Sequence, residues 1–261
     1  MIFIKTYHIN SKHLQREVAV DVYFPSLNLE ETRLQVLLVN DGQDLAKMDL
    51  KNPLQDFYAK QKVLPVVMLG IHAGAERLQE YGVSQQPDFK KRGAKAKLYS
   101  KFVVEELLPW TRDLLANKVI ESFSIAGFSL GALSAFDIAW NNAEQFKAVG
   151  AFSAAFWWRK HDLGDNYTDN DRILHEMLRK SKQKPHLRFW LMAGTADETA
   201  DRNNNYIIDS IDDTIDVIKE LELKGYSRPQ DIKYFEAVGG QHNTETWAKV
   251  FPKFFDWIFT K

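Results

Sequence analysis

Ser129 is the residue with the most chemistry to offer, because Gly127-Phe128-Ser129-Leu130-Gly131 sets it between two differently patterned stretches. Upstream, Ser122-Phe123-Ser124-Ile125-Ala126 alternates in apolar residues as a buried strand does. Downstream, Ala132 to Trp140 is rich in helix formers with apolar residues at helical spacing. Strand, tight Gly-x-Ser-x-Gly turn and helix is the setting of a nucleophile elbow, a strained turn that lifts the serine hydroxyl clear of the sheet. The flanking glycines avoid a side-chain collision with the neighbouring strand or helix. The chemistry implied is acyl transfer through an ester of the serine.

A serine hydroxyl at neutral pH needs a base in contact and an acid to orient that base. On a sheet with this elbow the partners follow in the order serine, acid, histidine, each on a loop at the C-terminal edge of a strand. The acid is expected after Leu187 to Gly194, where Thr195-Ala196-Asp197-Glu198 stands; Asp197 is preferred, with Glu198 and Asp201 in reserve. The histidine is expected after the last strand, at Gly239-Gly240-Gln241-His242. Of the seven histidines only His242 satisfies the order. The tetrahedral intermediate also needs backbone N–H donors for its oxyanion. Leu130, the residue after the nucleophile, supplies one; Gln43, in the turn Asn40-Asp41-Gly42-Gln43-Asp44, is expected to supply the other.

These loops require a particular scaffold. Strands alternate with helices along the chain, which predicts a mostly parallel sheet covered on both faces. Val18 to Phe24 alternates strictly and is closed by Pro25, as an antiparallel edge strand would be. Val36 to Asn40 and Val63 to Ile71 are continuously apolar, as central strands are. Further strands are expected at Ala148 to Phe152, Leu187 to Gly194 and Asp231 to Val238. Helices are expected at Pro53 to Lys60, Gly93 to Asn117 (with a kink at Pro109), Arg172 to Lys180, Ile207 to Lys224 and Thr244 to Thr260. Gly225 caps the fourth of these.

With 261 residues and no linker or repeat, residues 1–261 are expected to form one domain. A net charge of −1 without a basic stripe argues against nucleic acid as a partner. The absence of cysteine excludes disulfides, thiolate metal sites and a cysteine nucleophile. No apolar run has the length of a membrane span and the N-terminus lacks a secretory layout, so a cytoplasmic protein without a membrane partner is expected. Asp165, Asp169 and Asp171 lack the glycine and terminal glutamate of an EF-hand loop, so neither metal nor cofactor is expected.

Several short segments in order resemble the putative-esterase family of α/β hydrolases, which includes enterochelin esterases, feruloyl esterases, S-formylglutathione hydrolases and mycolyltransferases. They are Val39 to Gln43, Arg77 to Tyr81, Glu105 to Pro109, Gly127 to Gly131, Gly194 to Asp197, Gly239 to His242 and Trp247. The resemblance covers nearly the whole chain. It implies an α/β-hydrolase fold with Ser129, Asp197 and His242 as triad and the amides of Gln43 and Leu130 as oxyanion hole. Two positions depart from the family pattern: Asn40 stands where leucine is usual, and Gln241 interrupts the usual Gly-Gly-His.

The expected activity is hydrolysis of a small-molecule or sugar-linked carboxylic ester, with a homo-oligomer left open. Acyltransfer or thioester cleavage on the same triad, and a non-catalytic binding protein on this fold, are the alternatives. Phe156-Trp157-Trp158-Arg159 follows the strand after the elbow helix, where Trp157 and Trp158 either wall an aromatic or sugar moiety or pack the core under a lid. Arg77 is either a holder of an acidic substrate group or, preferred on spacing, the partner of Glu80. Lys160 to Asp171 reads as a cap loop, and Trp247 as packing the last helix against the loop, with no catalytic role.

Overall fold

Eight runs rich in branched and aromatic residues pair into one sheet in the computed structural model, which describes residues 2–25, 33–60, 64–164 and 166–260. The strands are β1 (Ile2–Ser11), β2 (Arg16–Pro25), β3 (Arg33–Asn40), β4 (Val66–Ile71), β5 (Val119–Phe128), β6 (Phe146–Phe152), β7 (Arg188–Ala196) and β8 (Ile232–Gln241). Their order is β1-β2-β4-β3-β5-β6-β7-β8. The β1–β2 and β2–β4 pairs are antiparallel and every other pair is parallel. Helices α1 (Lys51–Lys60), α2 (Arg77–Glu80), α3 (Ala96–Lys101), α4 (Leu108–Leu114), α5 (Leu130–Asn141), α6 (Ile173–Lys180), α7 (Asp209–Leu223) and α8 (Thr244–Phe259) complete the elements. Among the described residues no helix is long and apolar enough to cross a membrane.

The central parallel strands are apolar where they are buried, as over residues 36–39 of β3 and the whole of β4, because helices cover both faces. Along β3, Val36 and Leu38 enter one core with Phe102, Phe136 and Ile218, whereas Leu37 and Val39 enter the other with Leu54, Phe251 and Phe254. The period of two thus splits one strand between two cores. α5 is buried from Leu130 to Trp140. Its polar members are satisfied: the Gly82 N–H donates to Ser134 Oγ at 2.8 Å and the Ser84 N–H to Asp137 Oδ2 at 3.0 Å.

Three expectations are corrected. The edge strand is β1, which pairs with β2 from Ile2↔Pro25 to Ser11↔Arg16, so Val18 to Phe24 lies one strand inside. The helix expected over Gly93 to Asn117 is interrupted: α3 passes into a π-helical segment, Phe102–Leu107, before α4. Pro109 lacks an N–H and its ring crowds the carbonyl four residues back, and the wider π turn relieves that conflict. β8 runs beyond Val238 to Gln241. Val63, expected in the fourth strand, and Asp165, in the cap loop, lie outside the described residues.

Candidate active site

β5 delivers Ser129 at its C-terminal edge, with φ 54° and ψ −123°, a backbone conformation L-residues rarely hold. The surroundings determine it. The Ser129 N–H donates to the Phe152 carbonyl at 2.9 Å, and the Ser129 carbonyl accepts from Ala155 at 3.1 Å and from Ala132 at 3.1 Å. The side chain stands partly exposed between buried Phe128 and Leu130. Both elbow glycines are required by space. A Cβ on Gly127 would lie 2.4 Å from the Gly131 carbonyl oxygen, and one on Gly131 would lie 2.5 Å from Asp41 Oδ2. Gly127→Ala is therefore expected to cost about 1–3 kcal/mol, the scale of an overpacked core. Gly164→Ala, where a Cβ meets nothing within 4 Å, should change stability by less than about 0.5 kcal/mol. Thermal melts of the two variants check the contrast.

The acid and base loops leave adjacent strands. Asp197 closes a tight turn on β7: the Gly194 N–H donates to Asp197 Oδ2 at 2.9 Å, and the Asp197 N–H to the Gly194 carbonyl at 3.2 Å. The other oxygen, Oδ1, is buried and has no hydrogen-bond partner among the described residues. β8 packs so closely that a Cβ on Gly194 would lie 2.4 Å from the Gly240 carbonyl oxygen. Ala196 pairs with Gln241 after a register shift, and that irregularity absorbs the extra residue in Gly-Gly-Gln-His.

His242 follows at once, exposed at the rim. Its ring meets Trp247 edge-on at 5.2 Å, and Trp247 stacks at 5.0 Å on Phe128, the residue before Ser129. The Trp247 Nε1–H also donates to Ser153 Oγ at 3.0 Å. Trp247 thus joins the histidine loop to the elbow. The groups packed around its ring lower the His242 pKa; the Asp197 carboxylate opposes this and the Arg77 cation adds to it. Hydroxyl, imidazole and carboxylate are not hydrogen-bonded to one another in this structure.

The two reserve acids are held by other groups, although Glu198 Oε1 is likewise buried without a hydrogen-bond partner among the described residues. Burial raises the Glu198 pKa, Asp209 and Asp213 on α7 raise it further, and the Ser210 N–H donates to its carboxylate. Asp201 accepts from the N–H groups of Asn205 at 3.1 Å and Tyr206 at 2.9 Å, stapling its own loop.

After β3 the chain turns through Asp41, at φ 61°, into a 3₁₀ turn, Gly42–Asp44. A Cβ on Gly42 would lie 2.1 Å from the Gly70 carbonyl carbon, so only glycine fits against β4. Among the described residues the N–H groups of Gln43 and Leu130 donate to no acceptor, the condition an oxyanion hole requires. Arg77 does not pair with Glu80. It holds Asp41 through Nε–Oδ1 at 2.6 Å and Nη2–Oδ2 at 2.7 Å, while Glu80 pairs with Arg16 at 2.6 Å.

The two tryptophans expected either to wall the substrate or to pack the core differ in burial. Trp157 is partly exposed, two residues beyond the Ala155 that binds the Ser129 carbonyl. Trp158 is fully buried, and a Cβ on Gly82 or Gly93 would lie 2.9 Å from its ring, so it belongs to the core. Asp169 and Asp171 of the cap loop are engaged by Arg202 at 3.1 Å and His161 at 2.9 Å. Among the described residues no cluster of three or more His, Asp or Glu could hold a metal.

Residues 11–258 match the family model described as Putative esterase. No curated protein matches the chain. Among solved structures, the enterobactin esterase FES of Shigella flexneri, in the presence of enterobactin, superposes with a TM-score of 0.73 at 20% identity; the match covers 97% of this chain and 57% of that one. This chain therefore spans little more than half of that protein. A ferulic acid esterase gives 0.72 at 16% identity over 98% and 97% of the two chains. Siderophore hydrolase EstB from Aspergillus nidulans gives 0.73 at 15% identity over 99% and 97%. At these identities the likeness bears on the fold, that of the α/β hydrolases.

Proposed function

Because this chain belongs to the putative-esterase family, whose membership supports ester hydrolysis, we propose that it is a serine carboxylic-ester hydrolase acting through an acyl-enzyme on Ser129. The observation that carries this reading is the convergence at one rim of the sheet of the strained Ser129, the Trp247 bridge to His242, and the partnerless Asp197 Oδ1. A buried carboxylate oxygen without a donor is costly, and an imidazole Nδ1–H would satisfy it.

In the proposed cycle Ser129 Oγ attacks the ester carbonyl carbon while His242 takes the hydroxyl proton. Asp197 Oδ1 accepts from the imidazole and fixes its tautomer. The N–H groups of Gln43 and Leu130 meet the oxyanion. Collapse of the tetrahedral intermediate breaks the bond to the leaving oxygen, and His242 returns the proton to the departing alcohol. Water, deprotonated by His242, then attacks the acyl carbon; collapse releases the acid and restores Ser129. The hydrogen bonds among the three groups form, in this reading, when substrate binds, as catalytic hydrogen bonds commonly tighten then. The substrate is a small-molecule or sugar-linked ester, with Trp157 beside its path. The similar structures, named as esterases and a hydrolase, favour water over another acyl acceptor.

The test is hydrolysis of p-nitrophenyl acetate as a function of pH. The base must be neutral, and the surroundings of His242 hold its pKa below the ordinary histidine value. The midpoint of its protonation then lies below that value, so the acid limb of kcat/KM should have its midpoint below about pH 6.5. Turnover no faster than the buffer blank would contradict the reading.

A further inference from the structure

The structure assigns to the Arg77–Asp41 ion pair the positioning of the oxyanion-hole loop: we infer that Arg77 both anchors and neutralises the Asp41 carboxylate, so that the Gln43 N–H can serve a developing negative charge. This inference rests on Ser129 being the nucleophile.

Five partners hold the loop. The guanidinium grips Asp41 with both Nε and Nη2, a planar fork that fixes orientation as well as distance. The Asp41 N–H donates to the Tyr81 hydroxyl at 3.2 Å, although Asp41 itself holds a left-handed φ of 61°. The Ala73 N–H donates to Gln43 Oε1 at 3.0 Å, which ties the side chain of the donor residue to the end of β4. Asn40 receives the Tyr99 hydroxyl at 2.7 Å and donates to the Gly131 carbonyl at 2.8 Å, fastening the same loop to the first turn of α5. This gives Asn40 a use, although leucine is usual there.

The carboxylate sits in an awkward place. Asp41 is buried, and its Oδ2 lies so near Gly131 that only a missing Cβ gives it room. That is the N-terminus of α5, two residues from Ser129, where the oxyanion would form. A free carboxylate there would accept the positive end of the helix yet repel the negative charge of the intermediate. Arg77, itself only partly exposed, cancels that charge without offering its own fork to the reaction. Arg77 is therefore a positioning residue. Its charge reaches His242 as well, alongside that of Asp197, with Trp247 of α8 the neutral neighbour on the remaining side.

The experiment compares Arg77→Gln, Arg77→Lys, Asp41→Asn and the double variant Asp41→Asn/Arg77→Gln. Each is assayed for kcat and KM on p-nitrophenyl acetate, for its pH profile, and for fold by thermal melting. Arg77→Gln leaves the carboxylate unneutralised, so kcat should fall on the order of 10²-fold, the scale of losing one oxyanion donor. KM should stay within about threefold, because the interaction is made in the transition state. Arg77→Lys keeps the charge but loses the fork and should fall in between. Removing the carboxylate in the double variant should restore kcat by roughly tenfold over Arg77→Gln, a coupling that independent sites would not give. The acid limb of kcat/KM should move to higher pH in Arg77→Gln, where a cation near His242 is gone, and to lower pH in Asp41→Asn, where that cation is unopposed.

A raised KM with unchanged kcat would make Arg77 a substrate holder and overturn the inference, as would a double variant no better than Arg77→Gln. Loss of folded protein in all four variants would assign the pair to stability and overturn it too. Fluorophosphonate labelling of the wild-type protein keeps the two questions apart. No label on Ser129 would refute the nucleophile, whereas a labelled Ser129 with unaffected Arg77 variants would refute only this role.

Discussion

Ser129→Ala is expected to lower kcat for p-nitrophenyl acetate by on the order of 10⁴–10⁶-fold while leaving the protein folded. The size follows from the chemistry: without Oγ there is no acyl-enzyme, and only binding and the oxyanion donors remain to assist water. The preserved fold follows from the elbow. Among the described residues, every hydrogen bond that holds residue 129 uses its backbone, to Phe152, Ala155 and the first turn of α5. The strain at φ 54° resides in that backbone as well, and alanine bears it no worse than serine. The melting temperature should therefore stay within a few degrees of wild type, roughly 1 kcal/mol for a chain of this length. Turnover that survives the substitution would remove the serine from the mechanism.

The second large effect separates two neighbouring carboxylates. Asp197→Asn should lower kcat by about 10⁴-fold, near 5 kcal/mol of transition-state stabilisation, because an amide no longer fixes the imidazole tautomer. The turn itself should survive, since the amide oxygen can still accept from Gly194. Glu198→Gln should leave kcat within about threefold and stability equal or higher. Its carboxylate is already disfavoured as an anion by burial and by Asp209 and Asp213, and a neutral amide keeps an acceptor for Ser210 while shedding the like-charge repulsion. Of the two carboxylates, it is Asp197 whose charge acts on His242. Reversed effects in the two variants would move the acid role to Glu198.

Most of the scaffold was legible because the central strands are buried on both faces and so read as unbroken apolar runs. Val36 to Asn40 and Ala148 to Phe152 fall inside β3 and β6 for that reason. The elbow was legible because its glycines answer to local crowding. β1 was not. Its side chains from Phe3 to Tyr7 are largely exposed, and it forms through pairing with β2, which no local pattern announces.

Spacing also misled at Arg77. Glu80, three residues away, is the natural partner on a helix, but α2 lasts only one turn and Glu80 points inward to Arg16. The true partner, Asp41, lies 36 residues earlier in the chain. Trp158 could not be told from Trp157 by type; the difference is the hollow that Gly82 and Gly93 leave for it. The place of His242 depended on a register shift between β7 and β8 that accommodates Gln241, a feature of pairing rather than of sequence.

Treatment of the wild-type protein with a fluorophosphonate, followed by peptide mass mapping, bears most directly on whether the rim of this sheet is a working acyl-transfer site. One adduct per chain on the peptide carrying residues 127–131, lost when His242 is replaced by alanine, is the predicted outcome. An unmodified Ser129 under conditions that label a serine hydrolase, or an adduct on another residue, would contradict it.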